Sequence, residues 1–497
     1  MAVDYTFNPP LGIDLGTTFS VIAKWNGTMP EHYRTGAVGK EDTYQSVVWY
    51  DSKHEKYLTD RLAYRKTLTA PEFGIIGVKR LMDNRDAKIQ LGAKEHSPME
   101  LSAKIIEGMY GTISGMYPQG HFQRTEVVVT VPYYFKAHQC ANTREAVELA
   151  GLECAGIIQE PIAAALQYAL QMTRDNPDED RDEVMLVFDL GGGTFDLTLF
   201  NLQIRKDKMT FEVLASAGDD RIGGLDFDEA LAQHVLEEEG LVLDNMEDRA
   251  SRLAWQKILS ACLDVKETLS VTDEWDLAIA NVTADKHIER TITRKDFERC
   301  IQPYIEKIAR HLEDVFVRAG IQQSAVTRVI KVGGSSKIPA MTELLEDSIG
   351  ADRVFGNTND ALCVAEGAAI YAAYLDDPDV FGREIEIGTR SCHALGIEIE
   401  GGEFFEVTPA NCKTPCSRSQ IFVPGSAEQR SVNIDVYQGS AKVAKENTKI
   451  GTVQVAIELD DGPEPEIEVT FNQDAEQALN VIVRVNSRII NESFATV

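Results

Sequence analysis

The chain has 497 residues, of which 43% are hydrophobic and 26% charged, an ordinary balance for a soluble globular protein with room for roughly three domains. Its net charge of −30 argues against nucleic acid and anionic membranes as partners, because phosphate surfaces are bound by clusters of Lys and Arg. No apolar run approaches the ~20 residues of a membrane helix, the first five residues lack a secretory leader, and eight scattered cysteines make no disulfide framework, so a cytoplasmic location is expected.

In chain order, residues 13–23 read as strand, Asp14-Leu15-Gly16-Thr17-Thr18, strand. The apolar residues 75–78 precede Lys79, which local context alone treats as a surface charge. Helical spacing over 101–110 gives way to the β-branched run 126–131, which Pro132 ends. A helix over 136–151 and a short strand at 157–158 follow; Glu160-Pro161 then opens an alanine-rich helix over 162–170, suited to close packing against another helix. Residues 175–183 form an acidic loop.

Residues 187–200 repeat the opening phrase, with Asp189, the glycines Gly191, Gly192 and Gly193, Thr194 and Asp196 at the tip of a hairpin. Glycines without Cβ allow left-handed backbone angles and close approach to a ligand, and turn N–H groups cradle anions. Carboxylates beside such a cradle point to a divalent cation. Two copies of one phosphate hairpin predict two similar half-domains facing a nucleotide.

Beyond it, Gly223 and Gly224 precede a helix to about residue 239, and helices are expected over 253–269 and 294–319. The strand 329–332 runs into Gly333-Gly334-Ser335, where backbone can touch a flat or anionic ligand. A second alanine-rich helix over 364–373 supports the duplicated plan. Charged turn residues then mark a linker, and the remainder alternates in the β manner at 384–387, 393–399, 404–407, 419–423, 431–437, 451–457, 466–471 and 479–485, which reads as a β-sandwich. Cys412 and Cys416 lack the second knuckle of a zinc site, so buried reduced thiols are expected there and at Cys392.

Residues 13–23, 78–81, 127–135, 157–168, 187–200, 218–228, 332–339, 364–369, 395–402 and 419–439 together resemble the heat-shock protein 70 family, the DnaK-type chaperones. The resemblance implies an α/β actin-like ATPase domain, duplicated in two lobes, over residues 1–376. It also implies a linker over 377–384 and a mainly antiparallel β-sandwich over 385–497 that binds extended peptides; no helical segment is expected after residue 487, so either the protein lacks the family's helical lid or the sequence is truncated before it. ATP or ADP with Mg²⁺ are the implied cofactors; unfolded peptides, a J-domain co-chaperone and a nucleotide exchange factor are the implied partners.

By the same resemblance Asp14 and Asp189 hold Mg²⁺ through water, and Gly16, Thr17, Thr18, Thr194 and the glycines 191–193 bind phosphates. Lys79 stands by the γ-phosphate, with Glu160 and Asp196 acting on the attacking water. Gly333, Gly334, Ser335, Lys266 and Ser270 fall on the adenosine side, and Gly223, Gly224 and Lys337 complete the nucleotide set. Ile397, Phe422 and Val432 would line the peptide pocket, under an arch of Glu400 and Gly425 where the family usually has Met and Ala.

The chain departs from the family in three further places. Glu267 and Leu263 replace an adenine-stacking Arg and a nearby Glu, and Cys140 replaces an Arg on the route between the ATP and peptide sites. The linker Asp379-Val380-Phe381-Gly382-Arg383-Glu384 is more charged than the usual leucine run, so weaker or different docking is expected. A slow nucleotide-binding regulator is the alternative reading; an actin-like filament protein and a sugar kinase are more remote.

Overall fold

The computed structural model describes residues 8–494 apart from 177–178, 244–247, 284–285, 356–360, 427–428, 459–464, 475–478 and 487. Residues 1–5, read above as lacking a leader, and residues 177–178 of the acidic loop lie outside that set. Among the described residues no helix is long and apolar enough to cross a membrane.

Two sheets share one strand order. In the first, Leu11–Asp14 pairs antiparallel with Phe19–Trp25 and parallel with Glu126–Val131, which is parallel in turn to Glu153–Gln159. In the second, Arg181–Leu190 pairs antiparallel with Phe195–Ile204 and parallel with Arg328–Val332, itself parallel to Val354–Phe355. Each meander continues into a third strand, Pro30–His32 or Lys208–Asp219. The repeated phrase in the sequence is thus a repeated topology. Residues 127–131 are all buried, as expected for a central strand covered on both faces.

The two alanine-rich helices, Glu160–Asp175 and Cys363–Asp376, pack on each other. Their approach is close: a Cβ on Gly367 would lie 1.8 Å from the Ala163 carbonyl oxygen. Only a helix face without side-chain bulk permits that spacing. The outer part of the second half contains the helix Arg249–Leu269 and the hairpin Glu274–Thr283/Lys286–Thr293; that hairpin was not anticipated from the sequence.

The last eight strands form two antiparallel sheets. One runs Phe404–Thr408, Leu395–Glu398, Ser431–Gln438, Thr448–Ala456; the other runs Cys416–Phe422, Ile467–Gln473, Leu479–Val485, Arg488–Phe494. Ile434, Val436 and Val453 from the first meet Val469, Phe471 and Val481 from the second in one core, the sandwich the alternation predicted.

The segment 384–388 corrects the sequence reading. It is not the first strand of the sandwich: Glu384–Gly388 pairs parallel with residues 208–212 and becomes the sixth strand of the second sheet. Ile385 is buried in the core of that half and Ile387 packs against it. On the outer face Lys208 forms ion pairs with Glu384 and Glu386. Ahead of it, the Phe381 ring meets Trp25 edge-on at 5.1 Å. The charged stretch thus lies against the preceding domain, Phe381 on Trp25 and Glu384–Gly388 along the sheet edge.

Candidate functional site

The loops between first and second strands of the two meanders face each other. Gly191 N–H donates to the Thr194 carbonyl at 3.0 Å, closing the glycine turn. A Cβ on Gly192 would lie 1.8 Å from Thr18 Oγ1, and one on Gly193 would lie 2.5 Å from Thr17 Cγ2. None of the three glycines has a positive φ, so Gly192 and Gly193 are required for room and not for left-handed angles, while a Cβ on Gly191 would meet nothing closer than 3.8 Å. Gly333 does have a positive φ, 82°, and a Cβ there would strike the Leu190 carbonyl at 2.3 Å.

Between these turns lies a cavity of about 590 Å³. It is lined by Asp14, Gly16, Thr17, Thr18, Lys79, Glu160, Asp189, Gly191, Gly192, Thr194, Lys266, Ser270, Gly333, Gly334, Ser335 and Lys337. Among the expected residues, Asp196, Gly193, Gly223 and Gly224 sit behind the lining. Gly223 backs directly onto the glycine turn, where a Cβ would come 2.5 Å from Gly193 N.

Lys79 is no surface charge. It is 4% exposed, on a 3-10 turn Val78–Leu81 entered through a left-handed Gly77, and its Nζ lies 2.6 Å from Glu160 Oε1. Glu160 opens the first alanine-rich helix. Asp14 accepts a hydrogen bond from Thr130 Oγ1 at 3.0 Å. Asp189 and Asp196 are cross-strand partners in the hairpin, so two carboxylates project on one face, an arrangement costly in the absence of a neutralising cation. Asp196 Oδ2 accepts the Tyr133 N–H at 3.2 Å, while Oδ1 is buried without a partner.

The electrostatics follow from burial. Desolvation, reinforced by the charge of Glu160, pushes the Asp14 carboxyl up to about 7. The same two causes raise Asp189 and Asp196 well above the usual carboxylate range. Burial pulls the Lys79 ammonium down, but Glu160, Asp14 and Asp189 outweigh it and leave its pKa raised. Four carboxylates around one ammonium form an oxygen-rich site with excess negative charge, which suits a hard divalent cation. Among the described residues no three His, Cys, Asp or Glu side chains converge closely enough to hold a metal directly.

Two residues that the sequence reading passed over tie the site together. Arg80 donates from Nε and Nη2 to the Gly193 carbonyl, at 3.2 and 3.1 Å, and pairs with Asp226. Buried Asp228 holds Lys266 Nζ at 2.7 Å. Lys266 also donates to the Gly224 carbonyl, so the lysine expected on the adenosine side is already engaged. Ser270 Oγ donates to the Lys266 carbonyl at 3.0 Å. The far end of the cavity is walled by Leu263, Val271, Ile338 and Val364, with Glu267 at its rim.

In the sandwich, Ile397 is buried in the core with Phe422 and Val432 packed against it. The ring of Phe405, cross-strand partner of Ile397, stands edge-on to Phe422 at 5.3 Å. Phe405 was not singled out in the sequence. Glu400 is exposed, and Gly425 N–H donates to Gln429 Oε1 at 3.0 Å. Cys140 lies in the first turn of the helix Ala137–Leu149, and Lys136 just before it reaches Thr448 of the sandwich at 2.8 Å. The cysteines form no disulfide.

A model of the Hsp70 protein family matches residues 10–494 of the 497. The chain therefore belongs to the Hsp70 family, whose members are ATP-dependent chaperones built from an actin-like ATPase and a β-sandwich.

Proposed function

We propose that this Hsp70 family member hydrolyses Mg-ATP in the cavity between the two glycine-bearing turns and couples hydrolysis to the affinity of its sandwich for extended peptides. The observation that carries the reading is the group of Asp14, Glu160, Asp189 and Asp196 around buried Lys79. Phosphoryl transfer asks a protein mainly for positioning and charge neutralisation, and these residues supply both. Backbone N–H groups of residues 16–18 and 192–194 would take the phosphates; Asp14 and Asp189 would hold a hydrated Mg²⁺, which when bound neutralises phosphate charge. Lys79, held by Glu160, would neutralise the terminal phosphate and face the attacking water. Asp196, with a raised pKa and one oxygen unpartnered, orients that water or takes its proton.

The base end supports nucleotide binding of altered strength. Leu263 and Glu267 offer no stacking guanidinium, which favours the slow regulator as second reading. In the sandwich, Ile397, Phe422 and Val432 take the central apolar side chain of a peptide, and Glu400 at the rim favours a basic neighbour. A J-domain protein and an exchange factor are the expected partners, in the cytoplasm.

Single-turnover ATP hydrolysis, with and without an unfolded model peptide, tests the reading in wild type and Lys79→Ala. Wild type is expected to turn over and to respond to peptide; the variant should lose about 100-fold or more in rate. No hydrolysis in wild type leaves the regulator reading, and hydrolysis indifferent to peptide removes the coupling.

A further inference from the structure

The turn that follows Pro132 is gripped from two sides. On its inner side the Tyr133 N–H donates to Asp196 Oδ2 at 3.2 Å. On its outer side residues 390–393, just past the docked strand, take every remaining polar group of Tyr133. The Tyr133 hydroxyl donates to the Arg390 carbonyl and accepts from the Arg390 N–H, both at 2.9 Å. Cys392 Sγ donates to the Tyr133 carbonyl at 2.9 Å. His393 Nε2 donates to the neighbouring Tyr134 carbonyl at 2.8 Å.

Arg390 is fixed in turn. Its Nε donates to the Val213 carbonyl at 2.7 Å, on the strand beside which Glu384–Gly388 lies, and its Nη1 donates to the Asn411 carbonyl of the sandwich segment at 3.1 Å. Tyr133 is 1% exposed. A buried phenol with neither bond would carry an unsatisfied hydroxyl, so the ring sits correctly only while residues 390–393 are in place.

We propose that Tyr133 is a positioning residue that ties the orientation of the Asp196 carboxylate to the docked state of the segment 384–393. When that segment leaves, the phenol loses both partners, the turn relaxes, and the N–H that fixes Asp196 moves with it. Tyr133 does not line the cavity; it acts through Asp196. It also provides a mechanical link that does not run through position 140, where the family's usual Arg is Cys140.

The kinetic consequence rests on the proposed ATPase reading; the structural link does not. The test therefore has two arms, on the full chain, in wild type, Tyr133→Phe, Ile385→Asp and the double variant. Ile385→Asp puts a carboxylate into the buried seat of the docked strand, and Tyr133→Phe keeps the ring and the N–H. In the first arm, hydrogen exchange resolved to single amides should speed up about tenfold at Arg390 in Tyr133→Phe and at Tyr133 in Ile385→Asp, with the melting transition still cooperative. Unchanged exchange at the Tyr133 amide in Ile385→Asp overturns the proposal, whatever the ATPase does.

In the second arm, both single variants should shift the single-turnover rate by the same factor, about fivefold, with ATP affinity unchanged. The double variant should shift it no further. Independent, multiplying effects overturn the proposal. A wild type that fails to hydrolyse ATP counts against the ATPase reading alone, and the exchange arm then decides.

Discussion

Around the glycine turns, ionisable groups are buried, short of partners and held by backbone; at the rim of the sandwich, Glu400 and Gly425 face solvent, and Ile421 and Val423 are 59% and 63% exposed. In the cleft the spacing is set by main chain against main chain, as where Gly223 backs onto Gly193. In the sandwich the expected peptide-binding residues pack on their own core, and Phe405 leans on Phe422. The cleft is thus specified by where backbones meet, which few substitutions can alter without breaking it. The sandwich rim is specified by side chains that can exchange one partner for another. A substitution at the rim therefore costs the fold less than one in the cleft.

The contrast is sharpest at Gly192, where a methyl would collide with Thr18 Oγ1. Gly192→Ala is expected to destabilise the chain by about 1–3 kcal/mol in denaturant unfolding, and Thr18→Ala in the same chain should recover part of the loss. Equal loss in the single and double variants would mean the two turns do not constrain each other.

The buried charge of the cleft predicts a pH dependence of stability. Asp14 has a pKa near 7 in the folded chain against 3.8 for an ordinary aspartate. The folded state therefore binds more protons between these values, and this group's contribution to stability declines as pH rises from about 4 to about 7. Melting temperatures of the ligand-free chain should fall over that window, and Asp14→Asn should flatten the trend.

Smaller effects probe the ends where side chains decide. Glu267→Arg supplies a guanidinium at the base end; adenine nucleotides should bind about threefold to tenfold tighter by calorimetry, the worth of one cation–π contact. Glu400→Met should reduce the preference for an apolar peptide with Lys flanks over the same peptide without them by about threefold, the scale of one exposed charge pair. A preference that stays the same places Glu400 away from the peptide.

The sequence reading succeeded where information is local. A β-branched run, a glycine tip and its repetition are visible without knowing any contact, and they yielded both sheets and the opposed turns. It failed where a partner is distant. The alternation at 384–388 says strand but not which sheet; the choice is made by the open edge at Lys208 and by a seat for Ile385. The sequence puts Lys266 on the adenosine side without showing Asp228 beside it, and it assigns no role to Arg80, which the fold brings to the Gly193 carbonyl. The glycine tip was recognised for a partly wrong reason, since room and not handedness is what its backbone needs.

The sixth strand of the second sheet has a further role. Without Glu384–Gly388, residues 208–212 would present an unpaired row of N–H and C=O groups on an alternating, half-apolar strand, the kind of edge that recruits other chains. The docked segment covers that edge, with Lys208, Glu384 and Glu386 lining its outer face in charge. Each departure of the segment from the sheet therefore uncovers a sticky border, and the time spent undocked sets the exposure of this protein to self-association.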